Sequence, residues 1–216
     1  MIEADALAIH LNPLQEAIQP EGQTNFEYIL PRIVEIAGGL DVPVIVKETG
    51  CGISAEDAKA LESAGIKAID VGGVGGTSFA AVEYYRSNNE KMMDKDFWDW
   101  GIPTVASIVE VANSTHLKVF ASGGVRNGLH IAKAIALGAH YGGLALPMLK
   151  SAATGERTAL ARLKVVIEEL RNALFLTGSR NLQELRKAPL VISGSSYLWL
   201  TQRGFDPARY ATRRKS

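Results

Sequence analysis

Cysteine is almost missing from this chain: Cys51 is the single one among 216 residues. That excludes an internal disulfide framework and any paired-cysteine metal knuckle, and a reducing cytoplasm is the compartment expected. Neither sign of charge dominates, with 23 basic and 23 acidic side chains. The bulk composition therefore offers nothing to nucleic acid or to an anionic membrane surface. Only the tail ARYATRRKS is locally basic, and it is expected to be a solvated terminus. No uninterrupted apolar run approaches membrane length, and the opening MIEADALAIHL carries acidic residues where a secretory signal needs positive charge. A G-x-G-x-x-G fingerprint after the first strand is also absent, which counts against a Rossmann sheet.

What is present is 47% apolar composition, enough for one large domain over residues 1–216. Five short segments are rich in apolar and β-branched residues: DALAIHL (5–11), PVIVKE (43–48), KAIDVG (67–72), KVFASG (118–123) and YGGLAL (141–146). They are mostly near-continuous runs, the pattern of parallel strands covered on both faces. Helical patterns lie between them. NFEYILPRIVEIAGGL places Pro31 near a helix start, SAEDAKALESAG starts at a Ser54 N-cap and stops at Gly65, and the longest helix is predicted over 156–177. In that helix Leu160, Leu163, Ile167, Leu170 and Leu174 share one face.

Alternation of β and α predicts an α/β fold with a parallel sheet. Polar and glycine residues cluster at strand exits: Asn12, Gln15, Glu16, Lys47, Gly72 to Thr77, Ser122 to Arg126, Ala145 to Pro147. Chemistry distributed over every strand exit is the habit of a (β/α)8 barrel. Only five strands are legible, all within residues 1–147, while 148–216 read as helices and tail. The expectation is therefore a TIM barrel lacking its first strands.

Two strand exits are glycine-rich, VGGVGGTSF (71–79) and ASGGVRNG (121–128). Glycines let backbone N–H groups converge on phosphate oxygens, Thr77 adds a hydroxyl, and a helix starting near Asn127 adds its N-terminal dipole. Tight turns and close helix–strand packing are the competing explanation. Arg126 can add charge. Lys47, at the end of a buried strand, needs a partner for its ammonium, and an anionic reduced flavin would serve. In AIHLNPLQE, His10 and Asn12 project to one face, and Glu16 is a plausible ligand for a hard divalent cation.

Taken together, DALAIHLNPLQE, QPEGQTNF, PVIVKETGCGIS, IDVGGVGGTSF, ASGGVRNGLHIAKAIALGA and GLALP resemble the type 2 isopentenyl-diphosphate isomerases, flavin-dependent (β/α)8 barrels. The resemblance implies interconversion of isopentenyl and dimethylallyl diphosphate, with reduced FMN as acid and base, NADPH as reductant and Mg2+ holding the diphosphate. It implies that Gln15, His10 and Asn12 meet the substrate and that Glu16 holds the metal. It further implies that Lys47, Gly72, Thr77, Gly124, Val125, Arg126, Ala145 and Leu146 contact FMN. A homo-oligomer is implied as well. Many members carry serine at position 72, and glycine there would forfeit one flavin contact, about 1 kcal/mol.

A 2-hydroxy-acid oxidase-like barrel is the alternative, but those enzymes carry a histidine in the glycine loop and VGGVGGTSF has none. An inosine-monophosphate-dehydrogenase-like barrel would need a nucleophilic cysteine, and Cys51 sits in a different loop. A further alternative is a catalytically incompetent fragment of the isomerase, since an open arc of strands has unpaired edges. On this reading the isolated chain is inactive.

Overall fold

In the computed structural model, which describes residues 3–86 and 95–213, each apolar segment becomes a short strand. They are β1 (Leu7–His10), β2 (Val44–Lys47), β3 (Ala68–Asp70), β4 (Lys118–Ala121) and β5 (Tyr141–Gly142). All pair in parallel in the order β1-β2-β3-β4-β5. The register joins His10, Lys47, Asp70, Phe120 and Tyr141 into one row across the sheet. Residues in such a row point to the same face, so the row brings chemistry from three strands together. Among the described residues the outer edges of β1 and β5 have no strand partner, as expected for part of a barrel.

Helices follow the strands. They are α1 (Pro13–Ile18), α2 (Ile29–Gly39), α3 (Ala55–Ser63), α4 (Phe79–Arg86), α5 (Thr104–Ser114), α6 (Gly128–Leu137), α7 (Leu146–Thr154) and α8 (Glu156–Leu176), then α9 (Leu182–Arg186), α10 (Gly194–Gln202) and α11 (Ala208–Ala211). Pro31 falls in the first turn of α2, where a missing N–H costs nothing. Ser54 caps α3 by accepting from the Asp57 N–H at 3.1 Å, and Gly65 follows with φ +87°. Asn127 caps α6 by accepting from the His130 N–H at 2.8 Å. Pro13 stands at the first position of α1, where its fixed φ suits a helix start.

The core lies between the central strands and α3, α5 and α6, with Val46, Ile69, Val71, Val119 and Ala121 fully buried. A second cluster joins α6 to α8 and α9 through Ile135, Val166, Ala173 and Leu185. In α8 the leucine face divides: Leu170 and Leu174 pack against that cluster, whereas Leu160, Leu163 and Ile167 are exposed. The buried stripe is Val166–Leu170–Ala173–Leu174, which packs with Ile131 and Ile135 of α6 and Leu185 of α9. The solvated tail is a second departure. Tyr210 is 4% exposed, and Arg213 donates to the carbonyls of Ala136, Arg186 and Ala188.

One buried carboxylate ties the C-terminal helices to the sheet layer. Glu110 is fully buried and accepts from the Ala55 N–H at 3.1 Å, Trp199 Nε1 at 2.9 Å and Arg203 Nη2 at 3.0 Å. Arg203 also reaches Glu56 at 2.5 Å. Removing a buried, fully hydrogen-bonded charge leaves its donors unpaired. Glu110→Ala is expected to lower stability by about 3–5 kcal/mol, seen as a lower urea midpoint with an unchanged slope.

Candidate functional site

The C-terminal ends of β1 and β2 deliver the polar cluster. Lys47 Nζ lies 3.1 Å from His10 Nδ1, and Thr49 Oγ1 lies 3.0 Å from the same nitrogen. Burial and the Lys47 charge hold His10 below its usual pKa, so the imidazole is a neutral acceptor facing an ammonium. Lys47 also donates to the Glu48 carbonyl at 3.5 Å. The lysine thus has its partner within the protein, and the flavin proposed from the sequence is not needed to explain its burial. Its charge is met by neutral acceptors and stays available at the strand end.

Helix α1 turns the LNPLQE segment back over this cluster. Asn12 Nδ2 donates to Glu16 Oε1 at 3.0 Å, and the Gln23 N–H donates to Glu16 Oε2 at 2.9 Å. These bonds, the Gln23 one foremost, hold the Glu16 carboxyl below its usual range. Glu16 is therefore an ionised carboxylate with lone pairs to spare, which suits one ligand of a hard cation. Among the described residues no group of three or more His, Cys, Asp or Glu gathers to hold a metal, so a cation here would need other oxygen ligands.

Gln15 points to a residue that sequence reasoning missed. Its Nε2 donates to Glu83 Oε1 at 2.9 Å, and Glu83, buried in α4, also accepts from Arg86 Nε at 2.5 Å. Arg86 continues to Glu21 at 2.5 Å. Spacing could not expose this, because Gln15 and Glu83 are 68 positions apart. Trp98 and Trp100 were missed as well. They line a narrow cleft with Asn12, Gln15, Thr49 and Phe79, and the Trp98 indole N–H is buried with no partner among the described residues. The available signal was DFWDWG, a local concentration of aromatics in a chain holding only 7% of them.

The glycine loops meet each other before they meet anything else. A Cβ on Gly124, whose φ is +79°, would lie 2.1 Å from the Gly75 carbonyl oxygen, and Thr104 Oγ1 donates to the Gly123 carbonyl at 2.7 Å. Close packing, the competing explanation, therefore accounts for part of this glycine content. Gly72 departs further from expectation. At φ +45° its Cβ would lie 2.2 Å from the Glu48 carbonyl oxygen, while its own carbonyl accepts from the Gly50 and Gly52 N–H groups at 2.6 and 3.2 Å. Serine in this backbone would clash, so glycine here keeps the β2 and β3 exits joined rather than merely losing a contact.

What remains is an array of free amides. The N–H groups of Gly75, Gly76, Thr77, Gly124, Val125 and Arg126 meet no acceptor among the described residues. They belong to two loops in backbone contact, the second leading into α6, and Arg126 Nη2 donates to the Gly75 carbonyl at 3.2 Å. Val125 is 7% exposed with its side chain in the second core cluster, so only its backbone is on offer. Thr77, Ala145 and Leu146 are exposed around the same end of the sheet. Unpaired amides from two loops and a capped helix start suit phosphate oxygens.

Beneath the cluster, Glu48 is 6% exposed and accepts from the Thr49 and Cys51 N–H groups. Burial nevertheless raises its pKa to about 7. Burial, then the Glu48 charge, pushes the Cys51 thiol up to about 12, so it is no nucleophile. A raised carboxyl pKa means that stability is fullest below the ordinary value of 4.5 and falls as pH rises through about 7. Glu48→Gln removes that loss, so its stability relative to the parent should climb by up to about 3 kcal/mol between pH 4.5 and 8. Urea melts across that range would measure it, and a flat difference would contradict the assignment.

Comparison with known proteins accords with this geometry. The isopentenyl-diphosphate delta-isomerase of Methanothermobacter thermautotrophicus is 52% identical over 213 residues, covering 99% of this chain and 61% of its own length. That of Pyrococcus furiosus is 53% identical over 205 residues, 94% of this chain and 52% of its own. The chain thus spans little more than half the length of these relatives. A mandelate oxidase mutant solved with the monooxide FMN adduct superposes with TM-score 0.60 at 21% identity, over 85% of this chain and 54% of that one. A GMP reductase from Trypanosoma brucei in complex with guanosine 5'-triphosphate gives TM-score 0.59 at 20% identity, over 86% and 39%. These two show the fold alone: the five strands are part of a TIM barrel. The profile described as FMN-dependent dehydrogenase matches residues 14–192, and the chain belongs to that family.

Proposed function

We propose that this chain carries the FMN- and diphosphate-binding half of an isomerase that interconverts isopentenyl and dimethylallyl diphosphate. The observation that carries the proposal is the identity of 52–53% to proteins named isopentenyl-diphosphate delta-isomerase, over nearly the whole chain. A 2-hydroxy-acid oxidase-like activity has less support: the mandelate oxidase likeness is at 21–24% identity, and the glycine loop lacks a histidine base.

Bound FMN, reduced with NADPH, would supply the proton donor and acceptor for the allylic shift. The chain's own residues have positioning roles. The free amides of residues 75–77 and 124–126, with Arg126, would hold the FMN phosphate. Lys47 would face the ring, and Ala145 and Leu146 would wall it. Gly72 would act through the loop it joins. Glu16, kept ionised by Asn12 and Gln23, would hold Mg2+ against the substrate diphosphate. Glu83 fixes the Gln15 amide by taking its Nε2–H, and the amide held in this way would meet the substrate. Neutral His10 orients Lys47.

Turnover is assigned to a closed barrel, these five strands together with further ones, in a cytoplasmic homo-oligomer. The chain alone is expected to be inactive. Two measurements test this. FMN added to the purified chain and then separated from excess should leave a visible flavin band, and Gly124→Ala should abolish it. Colourless parent protein would refute the amide cradle as sufficient. In a complete barrel carrying this sequence, Glu83→Ala should lower isomerase kcat by about 100-fold with FMN retained. Unchanged turnover would remove Glu83 and Gln15 from the mechanism.

A further inference from the structure

At the opposite end of the strands, a cavity of about 410 Å3 opens between the C-terminal ends of α5 and α6 and the segments bearing α9 and α11. That is within the size range of small-ligand pockets. Its lining includes three arginines, Arg186, Arg209 and Arg213, with His140, Asn113 and Tyr210, and no carboxylate among the described residues. Three guanidinium groups around one cavity repel one another unless an anion joins them.

The arginines are fixed in place without being neutralised. Arg186 Nη2 donates to the Ala139 carbonyl at 2.8 Å. Arg213 donates to three carbonyls, each at 2.8 Å. Carbonyl partners set the planes of these groups and leave their charge intact. The Nε–H groups of both are buried with no partner among the described residues. Arg209 is exposed, lies 5.4 Å over the Tyr210 ring and forms no ion pair among the described residues. Burial first, and the Arg209 charge after it, draws Arg213 below its usual pKa, as expected where cations crowd. His140 Nδ1 accepts from the Val119 N–H at 3.1 Å, so a neutral ring carries its proton on Nε2 as a further donor.

We propose that this cavity binds a phosphate group, free or as the monoester of a small molecule, through Arg186, Arg209 and Arg213. One carboxylate would leave two of the three charges unmatched, whereas a dianionic phosphate matches two and offers oxygens in tetrahedral directions to separate guanidinium forks. The site is at the N-terminal ends of the strands, away from the amide cradle, and does not rest on the proposed isomerase reading.

Calorimetric titration of the chain at low ionic strength decides the matter, with inorganic phosphate, glycerol phosphate and succinate as separate probes. Arg209→Gln alters an exposed side chain, and circular dichroism confirms that the variant folds. Expected are phosphate affinity lowered about tenfold or more in Arg209→Gln, unchanged affinity in Arg171→Gln, an exposed α8 residue paired with Glu168, and weaker binding of succinate. Tighter binding of glycerol phosphate than of inorganic phosphate would identify an ester ligand; the reverse would identify the free ion. Failure of both phosphates to bind overturns the proposal. So does loss of binding in Arg126→Gln but not in Arg209→Gln, which would place the anion at the glycine loops. Succinate bound as tightly as phosphate would overturn the ligand class.

Discussion

The C-terminal face of this sheet depends on a contact between two backbones. The Gly75 carbonyl occupies the space that a side chain on Gly124 would fill, at 2.1 Å from its would-be Cβ. The Gly72 carbonyl likewise gathers the Gly50 and Gly52 amides. These approaches are closer than any L-residue with a side chain permits. The Gly72, Gly75 and Gly123 carbonyls are taken within the protein, while the N–H groups of residues 75–77 and 124–126 meet no acceptor among the described residues. An anion-binding character thus follows from how the loops pack, before any charged side chain is considered.

The same asymmetry governs the side chains nearby. Glu16 and Glu83 are each clasped by donors on both oxygens, whereas Lys47 and the arginines of the opposite face rest on neutral acceptors. At these two ends of the sheet the carboxylates named are held by protein donors, while Lys47, Arg186 and Arg213 rest on neutral acceptors. A net charge of zero conceals that division, since it counts groups without regard to which are already paired.

All five strands, their parallel sense and three helix starts were legible in the sequence, because near-continuous apolar runs and capping residues act locally. The clustering of His10, Asn12, Gln15, Glu16 and Lys47 was legible from their positions at strand exits. What was not legible depends on register and on distance along the chain. Glu83 joins Gln15 only once α4 packs on α1. The exposed half of the α8 leucine face could not be told from the buried half, since periodicity defines a face and not what covers it. The basic tail read as solvated because its carbonyl partners lie up to 77 positions earlier.

That tail also sets an order of events during synthesis. The last of the five described strands ends at Gly142, so their ladder can form while the later helices are still being made. The carbonyls of Ala136, Arg186 and Ala188 wait for Arg213, which emerges some seventy residues afterwards. Vectorial folding therefore reaches the N-terminal end of the sheet last. A pause in translation before Arg213 would leave the bottom layer unlatched while the glycine loops above it had already met.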